Sequence, residues 1–340
     1  MFEETILSVE DLSIEFLLRG KVLTAIRSVS LDVYRGETLA VVGESGSGKS
    51  VFTKSFMGLL DNNGKIASGK ILYDGRDIAQ LKTNKEWRTI RGHEIAMIMQ
   101  DPMTSLNPLK SIGKQISESI LLHTNATKKE AKLKAIQYLY DVGIQDPERR
   151  YNQYPHEFSG GMRQRVVIAI ALACQPKILI CDEPTTALDV TIQAQILTLL
   201  KQLKEKYNLT IIFITHDLGV VANVADRVAV MYAGDIVEVG TAEEIFNEPC
   251  HPYTMALLSS LPQLAEKGDE LFSIKGTPPN LYKPIVGDAF APRNPSALNI
   301  DYYLAPPYFE VSATHKAKTW LLDPRADKIE KPKMFNNKVK

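Results

Sequence analysis

Cysteine is scarce in this chain of 340 residues: there are three, Cys174, Cys181 and Cys250, none near another, and two lie inside apolar runs. That isolation argues against a disulfide framework or a cysteine-built metal site and suits buried thiols in a reducing compartment. Net charge is missing too, since 40 basic residues balance 40 acidic ones. No global field therefore favours nucleic acid or an anionic membrane surface. Long hydrophobic runs are also absent. The longest strongly apolar stretch, Val166 to Cys174, falls far short of the ~20 residues that span a bilayer, so any membrane role is expected to be peripheral. The start, Met1-Phe2-Glu3-Glu4, is acidic and lacks the basic and apolar regions of a secretory signal. No internal repeat is visible.

What is present is an ordinary globular composition, 44% hydrophobic, with enough length for one large domain plus an extension. Two β-rich segments lead, at 5–18 and 23–34. Thr38 to Val42 reads as a buried strand feeding a glycine-rich loop, and Lys49 to Leu60 follows with helical spacing. Ile95 to Met99 is a further buried strand, and 111–123 and 127–142 look helical, the second opened by the capping box Thr127-Lys128-Lys129-Glu130. A buried helix is expected after Ser159, then a strand at 177–181, a helix with Ile192, Ile196, Leu199, Leu200 and Leu203 on one face, and strands at 211–214 and 227–232. This alternation argues for a largely parallel α/β core with a helical insert near 101–158. After about residue 245 prolines crowd in and periodicity fades, which suggests a less regular extension. Its lysine-rich end from 328 is expected to be disordered.

Gly43-Glu44-Ser45-Gly46-Ser47-Gly48-Lys49-Ser50 is a complete phosphate-cradling loop. Its glycines allow tight turns that aim backbone N–H groups at phosphate oxygens, and Val51 lies in the helix whose positive end follows. Lys49 is placed to reach the β- and γ-phosphates, and Ser50 to bind Mg²⁺. A chance match of this spacing appears in roughly one chain in a hundred of this length, and the flanking strand and helix make it rarer. Asp182 ends an apolar strand, where it would hold Mg²⁺, and Glu183 projects beyond it, where a carboxylate can polarise a water. Gln100 and His216 each follow an apolar strand as well. The strand C-terminal ends are thus expected to gather Gln100, Asp182, Glu183 and His216 around the glycine loop, the edge at which open α/β sheets bind ligands.

One stretch narrows the reading: Phe158-Ser159-Gly160-Gly161-Met162-Arg163-Gln164-Arg165. With the glycine loop, Gln100, the strand 178–183, Ala187-Leu188-Asp189 and His216, in that order, it resembles the ATP-binding cassette (ABC) ATPases over about 1–245. The resemblance implies a P-loop NTPase cassette: a mainly parallel core sheet flanked by helices, an N-terminal antiparallel β subdomain and the helical insert. It also implies ATP with Mg²⁺, the ion held by Ser50, Gln100 and Asp182, with Glu183, His216 and Gln100 as catalytic residues. Two cassettes would pack head to tail, so that Ser159, Gly160 and Gly161 of one chain meet the γ-phosphate held by the other, with Asp189 nearby. Phe158 and Met162 depart from the commoner Leu-Ser-Gly-Gly-Gln. For the adenine, Phe16 is the aromatic at a plausible distance ahead of the loop; a core-facing strand residue is the alternative reading.

Ala96 to Pro108, Glu157 to Arg165, His251 to Leu258, and the segment from Gly276-Thr277-Pro278-Pro279 through Pro292-Arg293-Asn294-Pro295 are similar to oligopeptide and dipeptide permease ATPases, looking like the D-type subunit. The resemblance places a cassette at 1–245 and an extension of that family at 246–340. It implies a second, different ATP-binding subunit, two integral membrane permease subunits, an extracytoplasmic peptide-binding protein acting indirectly, and a place at the cytoplasmic face of the cell membrane, with no nucleic acid. Many relatives hold an iron–sulfur cluster with four cysteines in the extension. Asp288, Asn294, Asp301 and Trp320 stand at those positions here, and since thiolates are the usual ligands, no cluster is expected. Import of a dipeptide, nickel or another small solute, a soluble ABC protein acting on DNA or ribosomes, and a silent scaffold cassette are the competing readings. The intact Lys49, Asp182, Glu183 and His216 weigh against the last.

Overall fold

The computed structural model describes residues 4–101, 105–186, 188–261 and 274–327. They form two compact units, one built from 34–37 and 81–214 and the other from 4–33, 38–80 and 215 onward. The expected disordered tail from 328, together with Ala187 and Pro102 to Thr104, lies outside the described residues.

The first unit is parallel at its centre. β6 (Ile95–Ile98) pairs with β7 (Ile178–Asp182), and β7 with β8 (Thr210–Thr215), all in the same direction. Every residue of β7 and β8 is buried, as continuous apolar runs are in a parallel sheet covered on both faces. The expected insert is helical: Ile112–His123, Lys128–Asp141 and a short Pro147–Arg150. The Thr127 capping box closes as expected, with the Glu130 carboxylate accepting the Thr127 N–H at 2.7 Å. Gly113 lets the Tyr151 ring lie against the backbone, for a Cβ there would meet it at 2.0 Å. The helix Gly160–Leu172 packs on this insert and on β6.

The second unit begins with an antiparallel sheet in the order β2 (Lys21–Tyr34), β1 (Thr5–Leu18), β4 (Gly64–Tyr73), β5 (Arg76–Asp77). β4 was not evident in the sequence pattern. β3 (Thr38–Val42) runs parallel to β9 (Arg227–Tyr232), and β9 folds back on β10 (Asp235–Thr241). The turn between them puts Ala233 and Gly234 at φ 46° and 80°, the pair of left-handed residues a two-residue hairpin needs. A Cβ on Gly234 would lie 2.4 Å from the Ala25 oxygen. After β3 the chain enters the helix Lys49–Ser55, shorter than the spacing suggested. It stops in a Schellman turn: Gly58 takes φ 58°, Gly58 N–H donates to Ser55 and Leu59 N–H to Lys54.

The described part of the extension belongs to this second unit. Short strands β11 (Phe309–Glu310) and β12 (Lys316–Ala317) continue the sheet from β10. Lys318 pairs with Asp235 at 2.7 Å and the Tyr308 hydroxyl donates to the Ile236 oxygen. Glu238, Cys250 and His315 are buried with potential metal-binding atoms mutually close. The Glu238 carboxylate already accepts the N–H groups of Cys250 and His251 at 2.7 and 3.0 Å and lies 2.7 Å from His315 Nε2. It thus holds the two residues that lead into the helix Pro252–Ser259, which His251 itself caps by accepting the Tyr253 N–H at 3.0 Å.

Candidate functional site

The glycine loop takes its shape from its neighbours. Gly43, Gly46 and Gly48 all have positive φ, at 151°, 79° and 108°. A Cβ on Gly43 would stand 2.1 Å from the Met231 oxygen, and one on Gly48 would stand 2.9 Å from Ile26. At Gly43 a side chain would have to move backbone, and at Gly48 it would press on the Ile26 side chain at a φ that side chains rarely adopt. The loop is fastened from below, since Gly234 N–H donates to the Ser47 oxygen at 2.8 Å. Lys49 is 6% exposed, and its Nζ donates to the Gly43 and Glu44 oxygens at 2.8 and 2.9 Å. The Ser47 hydroxyl is buried without a hydrogen-bond partner. An ammonium resting on loop carbonyls and an orphaned hydroxyl beside positive-φ glycines fit a phosphate group, which supplies acceptors for both.

Glu44 is held from outside the loop. Its N–H donates to the Tyr253 hydroxyl at 2.7 Å, and Arg293 donates from Nη1 and Nη2 to its two carboxylate oxygens at 2.8 and 3.0 Å. The sequence reading gave neither Arg293 nor Tyr253 a role at the loop; only their places in recognisable extension motifs marked them.

In the first unit, the parallel register of β6 and β7 brings Gln100 and Glu183 to one sheet edge. Gln100 Nε2 donates to Glu183 Oε2 at 2.9 Å, and Thr186 Oγ1 donates to the same oxygen at 3.0 Å. Asp182 closes β7 and is 6% exposed. Glu183 itself takes φ 47°, left-handed for a non-glycine residue, a strain of about 1–3 kcal/mol that tends to mark functional positions. Its N–H still donates to Ile214, so the backbone turns out of the sheet without losing that bond. Just before it, burial and the Asp182 charge push the Cys181 thiol well above its usual range.

The Ser-Gly-Gly turn opens the helix Gly160–Leu172. Ser159 caps it by accepting the Met162 N–H at 3.4 Å. Ser159 and Gly160 are exposed. A Cβ on Gly161 would meet Ile192 at 2.7 Å, and one on Gly160 would approach Leu188 at 3.8 Å. Asp189 caps the neighbouring helix Val190–Tyr207 through the Ile192 N–H at 2.9 Å. The turn and Asp189 therefore open adjacent helices. Phe158, the departure from leucine, is 3% exposed, with Arg150 5.5 Å above its ring.

The remaining residues stand in the second unit. Ser50 and Val51 are half-buried in the first turn of the helix Lys49–Ser55. His216 is exposed after β8, and Asp217 caps the helix Leu218–Val224 that follows. Phe16 pairs with Gly64 across β1 and β4 and is 9% exposed, and a Cβ on Gly64 would touch its ring at 2.6 Å. That packing leaves little ring surface for a base. At the four extension positions the donors do not suit an iron–sulfur cluster. Asp288 accepts the Phe290 N–H, Asn294 the Ser296 N–H and Asp301 the Leu298 N–H, while Trp320 Nε1 donates to Leu304. The first three are loop caps, and none of the four offers a thiolate.

Comparison with known proteins gives a consistent picture. Residues 26–186 match the ABC transporter family, and 237–300 match the oligopeptide/dipeptide transporter C-terminal region. The chain is 61% identical to the oligopeptide transport ATP-binding protein AmiE of Streptococcus pneumoniae, with 98% of this chain and 94% of the relative covered. It is 58% identical to the dipeptide transport ATP-binding protein DppD of Lactococcus lactis (97% and 94%) and 57% identical to the oligopeptide transport ATP-binding protein OppD of Bacillus subtilis (98% and 94%). Among solved structures, cbiO1 of Clostridium perfringens, part of an ABC transporter complex, aligns with TM-score 0.63 and 30% identity over 72% of this chain and 92% of that one. A dimeric post-hydrolysis structure of the ATP-binding cassette MJ0796 with ADP and phosphate aligns with TM-score 0.62 and 26% identity over 69% and 98%.

Proposed function

The chain belongs to the ABC transporter family, and from that footing we propose that it is the ATP-hydrolysing subunit that powers oligopeptide import through a membrane complex. The observation that carries the reading is the near-full-length match to oligopeptide and dipeptide transport ATP-binding proteins, cassette and C-terminal region alike. A cassette at 1–245, with its helical insert at 101–158, would carry the chemistry, and 246–340 the extension. Among the described residues no helix is long and apolar enough to cross a membrane. Its place is peripheral, at the cytoplasmic face, against two integral membrane subunits and a second, different cassette, with a peptide-binding protein outside acting indirectly.

The residues divide the work. Backbone N–H groups of the loop 43–51 bind the phosphates, and Lys49 leaves the Gly43 and Glu44 carbonyls for the β- and γ-phosphate oxygens. Glu183 polarises the attacking water while Gln100, already bonded to it, holds its carboxylate in place. His216 orients the γ-phosphate. Ser50, Gln100 and Asp182 are the residues to hold Mg²⁺, which when bound neutralises charge developing on the phosphate oxygens. Ser159, Gly160 and Gly161 complete the site of the opposing cassette. No covalent intermediate is needed, since positioning and electrostatics suffice.

Dipeptide import is the second reading, favoured by the 58% identity to a dipeptide transport protein. Uptake by proteoliposomes holding the full complex separates the two. ATP-dependent accumulation of labelled four- to six-residue peptides, lost at least tenfold in Lys49→Ala, is expected. Uptake of dipeptides alone would move the cargo assignment to the second reading, and peptide uptake indifferent to Lys49→Ala would contradict both.

A further inference from the structure

The extension reaches back to the phosphate loop and holds it at one residue. Glu44 has three polar groups, and each is claimed by a different partner: its carbonyl by Lys49, its N–H by Tyr253, its carboxylate by Arg293. Arg293 is itself fixed, 5% exposed at its side chain. Its Nε donates to the Lys275 oxygen at 3.0 Å and Nη1 to the Tyr232 hydroxyl at 3.2 Å, and the guanidinium stands 5.8 and 5.9 Å from the Tyr232 and Phe290 rings. Pro278, Pro279 and Leu281 line a small cleft with Glu44 to Ser47.

This arrangement answers an electrostatic problem. A carboxylate inside a loop that receives a polyphosphate repels the ligand, more so where water is partly excluded. A bidentate guanidinium cancels that charge and fixes the orientation of the peptide that carries it. Because the guanidinium comes from the extension, 249 residues away in sequence, the loop's charge and shape depend on the extension being folded in place.

We propose that Arg293 is a positioning residue for nucleotide binding: acting through Glu44, it neutralises the loop's own carboxylate and sets the loop for phosphate, so that the extension tunes ATP affinity. The proposal rests on residues 43–51 being the nucleotide loop.

The test is equilibrium binding of MgATP to the full chain in its reconstituted complex, with KM and kcat measured alongside. Arg293→Met is expected to raise Kd and KM about tenfold, the scale of a lost charge-assisted pair, with kcat changed far less. Adding Glu44→Gln to Arg293→Met is expected to recover most of that affinity, because the uncompensated charge is gone. Arg293→Lys, which keeps the charge and loses the fork, falls between. A Kd unchanged in Arg293→Met, or a double variant no tighter than Arg293→Met alone, overturns the proposal; the second result is what a purely structural contact gives. If Arg293→Met does not fold, Arg293→Lys decides: a Kd raised about threefold supports the proposal, and an unchanged Kd overturns it. Lys49→Ala in the same assay separates the two ideas. If it leaves MgATP affinity intact, the nucleotide-loop reading fails; if it alone weakens binding, only the role of Arg293 fails.

Discussion

At the scale of single residues, backbone geometry and burial set the sharpest expectations. Gly43→Ala drives a methyl against the Met231 oxygen, which would sit 2.1 Å away, at a φ of 151° that a side chain resists. A loss of about 2 kcal/mol or more is expected, read as a lowered thermal midpoint together with lost ATP affinity. The cysteines make a second case. Burial pushes the Cys174 thiol to about 11 and the Cys181 thiol higher still. At pH 8 only about one Cys174 in a thousand is then thiolate. Native protein is expected to resist alkylation at both positions and to label fully once unfolded; rapid native labelling would show that the strand and helix around them open easily. The glycine loop, Asp182, Glu183 and the Ser-Gly-Gly turn were legible in sequence because their chemistry depends on short, fixed spacings. The Glu44–Arg293 pair was not, since no local pattern reports a contact across 249 residues. Phe16 shows the opposite limit: spacing offered an aromatic, but the missing side chain of Gly64 gives that ring a place in the sheet.

At the scale of elements, long β-rich segments and continuous apolar strands announced themselves, and strands that are short or broken by polar residues did not. β3 and β9 coincide with the ranges read from sequence, and β7 and β8 agree within a residue at either end. β4 was missed because most of Gly64 to Lys70 is polar or exposed and its pairing with β1 contains a register shift near Ser13. β11 and β12 were missed because each is a two-residue pairing among the prolines of the extension, and β10 because Asp235, Glu238 and Gly240 interrupt its apolar run. The contact between the extension and the helix Ala242–Asn247 carries a pH expectation. Hydrogen bonds from Ser312, Thr314 and Thr241, outweighing burial, hold the Glu244 carboxyl down to about 2. A depressed folded value stabilises the fold above the ordinary carboxylate range, and that contribution is lost as pH falls from about 4.5 towards 2. Trp320, packed on Phe309 in the same extension, is the optical probe chosen for it. In a Trp87→Phe background its emission is expected to shift across that window, and Glu244→Gln is expected to flatten the acid response and cost about 1 kcal/mol at neutral pH. An unchanged acid profile in Glu244→Gln would assign the transition to other carboxylates.

At the scale of the whole molecule, the proposed function makes the chain one subunit of an assembly. Its 40 basic and 40 acidic residues balance, so no net charge draws it to a polyanion. Ser159 and Gly160 stand exposed beside the Asp189 cap, as a surface meant to meet an opposing cassette would be. Ser159→Arg costs a helix cap worth about 1 kcal/mol and is expected to leave this chain's own ATP binding intact while lowering turnover of the whole complex at least tenfold. Equal turnover would remove the turn from the shared site.

Glu183→Gln in the reconstituted complex, with steady-state ATP hydrolysis and bound nucleotide measured on the same sample, decides whether Glu183 activates water for hydrolysis coupled to transport. A fall in hydrolysis of about 10²-fold or more with MgATP still bound is the expected result. Hydrolysis near that of the unmodified complex would contradict it.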